Sequence, residues 1–176
     1  MKLHMKKVSL ILIGCFLMTA AISQAPEQKL QSMGISLPAP TNPVANYVKF
    51  VRTGNLIFLS GHGPSNAEGK YTTGKLGKDL SIEEGYDAAK LTGINLLATL
   101  KAAVGDLSKI KRVVKVLGMV NSTDQFSDQP KVINGFSDLM VAVFGDKGKH
   151  ARSAVGMASL PMNMAVEIEM IVEVEN

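Results

Sequence analysis

The chain has 176 residues, 18.8 kDa, with 46% hydrophobic and 19% charged side chains, an ordinary globular composition that excludes an intrinsically disordered chain. One domain of this length buries roughly 70% of the surface its unfolded chain exposes, so it needs neither disulfides nor metal to fold. The formal net charge of +4 points to a nucleic-acid or membrane partner only if the basic residues cluster on the folded domain.

Most of the excess positive charge sits at the beginning instead. Lys2, Lys6 and Lys7 precede an apolar run from Val8 to Ile22, followed by Ser23, Gln24 and Ala25. A basic start, a short apolar stretch and a small-residue exit form a secretory signal peptide, and the run is short for a bilayer-spanning helix. Residues 1–25 are therefore expected to be removed on export, after Ala21 or Ser23, leaving a periplasmic or secreted protein. Leu12-Ile13-Gly14-Cys15 also resembles a lipoprotein box, and an uncleaved or lipidated leader would be the protein's only route to a membrane. Without the leader, 16 of the 19 basic side chains face all 15 acidic ones, a charge of about +1. No basic block survives to track phosphates, and the chain has no Trp to stack bases, so no nucleic-acid partner is expected. The single cysteine, Cys15, leaves with the leader. Of the histidines only His62 and His150 remain, so no metal site and no cofactor are expected.

Residues 26–43 read as an N-terminal arm. Two helical turns over 27–34 are stopped by the Pro-rich connector Leu37 to Pro43, and the main domain is expected over 44–176. Tyr47 to Arg52 and Asn55 to Ser60 are β-rich runs flanking Thr53-Gly54, a hairpin signal that ends at Gly61-His62-Gly63-Pro64. Residues 65–79 form a Gly- and Lys-rich loop. Ser81-Ile82-Glu83-Glu84 is a capping box, and the helix it opens carries Ile82, Tyr86, Ala89, Gly93, Leu96, Leu97 and Leu100 on one stripe before Gly105 ends it. A strand follows from Ile110 to Val120. Ser127 or Asp128 caps a second helix running to about Phe144. Two further strands, about Ala151–Ala158 and Ala165–Glu175, are joined through Leu160-Pro161. The order β-β-α-β-α-β-β predicts an α+β two-layer sandwich, a mainly antiparallel sheet with two helices on one face. Apolar residues on both faces of several strands call for a second subunit as cover.

Few residues are poised for chemistry. Arg152, among Ala151, Ala154, Val155 and Gly156, suits bidentate capture of a carboxylate; its plainer reading is an edge-strand Arg paired with a structural acid. Glu167 is the first of four alternating acids; it either orients a water and moves protons or lies on the solvated face of a strand. Tyr47 and Ser60 can hydrogen-bond a small ligand or be ordinary strand positions, and His62 reads as a solvated loop residue. There is no Ser-His-Asp order, phosphate-binding loop or dinucleotide fingerprint.

Tyr47-Val48-Lys49, with Gly54 to Gly61 after it, resembles the N-terminal hairpin of the RidA (YjgF, reactive intermediate deaminase) family. Ala151-Arg152-Ser153-Ala154-Val155, Leu160-Pro161 and Val166-Glu167-Ile168-Glu169 are similar to its C-terminal signature. The resemblance covers about residues 44–175. It implies a chorismate-mutase-like fold, a homotrimer with clefts between subunits, and cofactor-free hydrolysis of enamine and imine intermediates, such as 2-aminoacrylate, to 2-keto acids and ammonia. By position it implies that Arg152 binds the substrate carboxylate, Glu167 orients water, and Tyr47, Ser60 and Gly61 line the cleft. The family's helix Asn falls at Asn134 or at Ser137. Departures mark a diverged subgroup: no Phe-Pro precedes Arg152, Ala154 stands where many members have Cys, and Gly156 replaces an often acidic position. A non-catalytic carboxylate-binding trimer and an RNA-cleaving, translation-inhibiting protein are the alternative functions.

Overall fold

The structure, a computed structural model, describes residues 25–40 and 45–175. The expected signal peptide and Cys15 lie outside the described residues, apart from Ala25. In chain order the elements are α1 (Pro26–Ser32), β1 (Phe50–Thr53), β2 (Leu56–His62), α2 (Ile82–Val104), β3 (Ile110–Asn121), α3 (Gln129–Phe144), β4 (Ala151–Met157) and β5 (Val166–Val174). The five strands form one sheet in the order β1-β2-β5-β3-β4, antiparallel throughout except for the parallel pair β3–β4. Helix α3 makes the crossover that a parallel pair requires. The α+β sandwich expected from the sequence is the observed fold.

Local signals set the element ends. Ser81 Oγ accepts the Glu84 N–H at 3.2 Å and the Glu84 carboxylate accepts the Ser81 N–H at 2.8 Å, so the capping box of α2 is closed in both directions. At the other end Gly105 takes φ +79°, a conformation that a side chain disfavours, and its N–H returns to Lys101 O. Asp128 is the N-cap of α3, although its side chain makes no capping bond; Pro130 supplies the helical φ of the first turn instead.

Alternation does the rest. Val166, Ile168, Met170, Val172 and Val174 of β5 are all buried, whereas Glu167, Ile171 and Glu173 are half-buried and Glu169 is exposed. The buried set lies under α2 and α3 with Val116 and Val120 of β3, Leu96, Leu97, Leu100, Ile133, Phe136 and Met140. Each such side chain contributes about 1.5–3 kcal/mol on burial. The two helices touch closely at Gly135, where a Cβ would collide with the Tyr86 carbonyl of α2.

The N-terminal arm differs from its expected role as a segment outside the core. Leu30 of α1 is 2% exposed and belongs to the main hydrophobic cluster, with Met33, Ile35 and Leu37 packed against it. The Glu27 carboxylate accepts the Leu107 N–H at 2.8 Å. The helix ends at Ser32, ahead of the prolines expected to stop it, where Gly34 takes φ +70° and the Ile35 N–H returns to Leu30 O; the apolar residues of the arm nonetheless join the core.

Candidate functional site

Strand β2 pairs with β5 at Leu59↔Met170 and again at His62↔Ile168, so Ser60 and Gly61 together oppose Glu169 alone. This is a β-bulge, a device that re-aims side chains near the end of a strand. It turns Gly61 directly onto the Glu167 side chain: a Cβ at position 61 would overlap the carboxylate oxygen. Two bonds fix the bulge. Ser60 Oγ donates to Val48 O at 2.7 Å, beside Tyr47, and Ser60 N–H donates to Lys49 O at 3.0 Å. Tyr47 is half-exposed, with Lys49 Nζ 6.0 Å from its ring centre.

His62 anchors the bulge from behind. Its Nδ1 lies 2.7 Å from Ser60 O and its Nε2 lies 2.8 Å from Thr99 Oγ1 of α2. The expectation of a solvated loop residue is corrected here: His62 ends β2 and is 7% exposed. Burial pulls its pKa down to about 4, so it is neutral at pH 7.

The glutamates of β5 are not equivalent. Glu173 takes a hydrogen bond from Asn55 Nδ2 and pairs with Lys111 at 2.7 Å. Among the described residues no hydrogen bond or ion pair engages the Glu167 carboxylate, although it is half-buried against Gly61. Burial raises its pKa above the ordinary carboxylate value, and neighbouring Glu169 adds to the rise. A carboxyl so placed holds a proton more readily than a solvated one, which suits proton transfer.

Arg152 lies on edge strand β4, in register with Val116, and its side chain turns to the helix side of the sheet. Its Nη1 donates to Asn134 Oδ1 at 2.9 Å and to Ser137 Oγ at 3.0 Å, and its Nη2 reaches Pro130 O at 3.5 Å. Asn134 and Ser137, alternatives in the sequence reading, bind the same nitrogen. Three of the five guanidinium N–H groups are thereby used, and two remain for a ligand. The plainer reading of Arg152, an ion pair with a structural acid, finds no such acid among the described residues.

Glu167 pairs with Met119, which pairs with Val155. Arg152 is thus two strand spacings, about 10 Å, from β5, and on the opposite face of the sheet. Within one protomer the structure brings Ser60, Gly61 and Glu167 together, with Tyr47 next to Ser60's partner Val48. It brings Arg152 and Asn134 together elsewhere. A cavity of about 870 Å³ between residues 27–40 and the end of α2 contains none of these residues. Sequence reasoning missed the anchoring by His62 and Thr99, which no short-range pattern signals. It also missed that Pro130, Asn134 and Ser137, spaced by four and three, share one helical face, which was legible.

A family model described as "YjgF/chorismate mutase-like, putative endoribonuclease" matches residues 27–174. Protein TCP17 of Trypanosoma cruzi is 43% identical over 160 residues, 90% of this chain and 100% of that protein. A 2-iminobutanoate/2-iminopropanoate deaminase of Dermatophagoides farinae is 31% identical over 142 residues, 80% of this chain and 95% of that protein. The crystal structure of Atu1372 from Agrobacterium tumefaciens, a protein of unknown function, superposes with a TM-score of 0.79 at 47% identity, covering 86% of this chain and 94% of that one.

Proposed function

Because the chain belongs to the YjgF/RidA family, we propose that it hydrolyses small 2-imino or enamine acids to 2-keto acids and ammonia, in a cleft shared by two copies of itself. The observation that carries this reading is the division of the site. One surface of the protomer offers a half-buried carboxyl without a partner, Glu167; the other offers a guanidinium with two unused N–H groups, Arg152. A head-to-tail contact that brings Arg152 of one copy to Glu167 of the next completes the site, and such contacts close into a ring. The homotrimer that the family resemblance implies is a small ring of this kind. Phe58, Val51 and Val155, exposed on the sheet face that carries Glu167, supply apolar surface for the contact.

In this cleft the substrate carboxylate takes the two remaining Arg152 donors, which fixes the imine carbon in space. A water held by Glu167 adds to that carbon and gives its proton to the carboxylate. Starting from the protonated imine, the carbinolamine nitrogen then receives that proton back from Glu167 and leaves as ammonia, and the hydroxyl proton passes to the Glu167 carboxylate as its oxygen becomes the keto group. The imine is already electrophilic, so alignment supplies much of the acceleration. Asn134 holds the guanidinium, while Tyr47, Ser60 and Gly61 shape the opposite wall. With its leader removed, the protein acts outside the cytosol.

The test is ammonia and keto-acid release from freshly generated amino-acid-derived imines. Arg152→Ala and Glu167→Gln are each expected to lower kcat/KM by at least about 100-fold with circular dichroism unchanged. Full turnover by either variant overturns that residue's role. Saturable keto-acid binding without wild-type turnover would replace catalysis by carboxylate binding.

A further inference from the structure

Ser137 Oγ does more than accept from Arg152: it also lies 3.1 Å from Nε2 of His150. His150 Nδ1 lies 2.6 Å from Gly148 O, an acceptor only, so Nδ1 carries the ring hydrogen and Nε2 is left as a bare lone pair. The Ser137 hydroxyl therefore donates to His150, and its own lone pairs face Arg152 Nη1. The ring is held in place by the edge of Phe136, 5.8 Å between centres at 72°. Gly148 is equally fixed, since a Cβ there would strike the Met140 carbonyl of α3. Burial lowers the His150 pKa and nearby Arg152 lowers it further, which keeps the ring in the neutral form this arrangement needs.

We propose that Ser137 and His150 form a positioning relay that locks the Arg152 guanidinium, so that the cleft accepts one planar carboxylate in one orientation. A serine alone would present its hydroxyl proton to Arg152 in some rotamers. His150 Nε2 accepts the hydrogen bond from that hydroxyl and makes Ser137 a constant acceptor toward Arg152. With Asn134 it occupies both Nη1 hydrogens, and substrate meets the remaining donors already aimed, without the rotamer entropy a free Arg would lose. Nor is this arrangement set up as a nucleophile with its base, because the Ser137 oxygen accepts from the Arg152 cation, which draws electron density away from it.

The inference rests on Arg152 as the carboxylate anchor, and the experiment separates the two. Ser137→Ala and His150→Ala are each expected to raise KM for carboxylate-bearing imines roughly tenfold, the loss of one hydrogen bond to a charged group, with kcat within about twofold. The double variant is expected to match either single one, since both act through one guanidinium. Ser137→Thr, which keeps the hydroxyl, restores KM. Unchanged KM, or a double variant whose loss is the product of the two, overturns the relay. A readout independent of turnover is nitrogen-15 NMR of the full-length protein. His150 is expected as the neutral Nδ1–H tautomer, and rotation of the Arg152 Nη groups is expected to quicken in Ser137→Ala. If wild type neither turns over nor binds 2-ketobutyrate, the proposed function fails while the spectra still decide the relay. Rotation equally fast in wild type and Ser137→Ala overturns the relay whatever the turnover.

Discussion

The two faces of the sheet carry side chains of similar kind to different ends. Under α2 and α3, alternate residues of β5 and β3 are sealed among Leu96, Leu97, Ile133 and Phe136. On the other face Val51, Phe58 and Val155 remain exposed and share the surface with Glu167 and Glu169. This face is apolar yet open, and it holds a carboxyl whose pKa burial raises. The closed face holds the domain together and carries Arg152 only at its β4 edge, whereas the open face, with Glu167, is where a second copy is expected.

The sharpest way to break this contrast is through Phe136, which is fully buried. Phe136→Ala is expected to cost about 3–5 kcal/mol, read as a lower urea midpoint at pH 7.5. Next comes acid. The folded-state pKa of His62 is about 4, below the ordinary 6.5, so its contribution to stability is intact above pH 6.5 and drains away as pH falls toward 4. The loss by pH 4 is roughly 3 kcal/mol, and His62→Gln is expected to flatten that part of the stability profile. An unchanged slope in the variant would place the acid sensitivity elsewhere. The smallest effect belongs to the open face. Phe58→Ser is expected to change unfolding of the separated protomer by less than about 0.5 kcal/mol. The same substitution should nevertheless shift sedimentation toward smaller species, and a loss of stability as large as that of Phe136→Ala would erase the distinction between faces.

Much of the fold was legible because its signals are local. The Ser81–Glu84 box and Gly105 each dictate a backbone geometry within a few residues, and the structure realises both; the hairpin also forms, but its turn is Gly54-Asn55 rather than Thr53-Gly54, because Thr53 pairs with Leu56. What escaped was set by distance along the chain. Leu30 is buried in the main core, with α1 lying against α3, although the prolines after it seemed to set the arm apart. His62 is buried because Thr99 of α2 offers it a hydroxyl, a pairing that strand periodicity does not encode. The residues of the candidate site were readable as types and positions, Arg152 and Glu167 above all. Their placement on opposite faces was not, since it depends on how β3 and β5 are ordered within the sheet.

That strand order bears on truncation as well. Strand β5 is the last element of the chain, yet it lies at the centre of the sheet, between β2 and β3. Without β5, the β1–β2 hairpin and the β3–β4 pair are separate pieces of the sheet, each with an open edge on the side where β5 lies. Only Val166–Val174 joins the two pieces into one sheet. A chain without Val166–Val174 loses the middle of its sheet rather than a fringe.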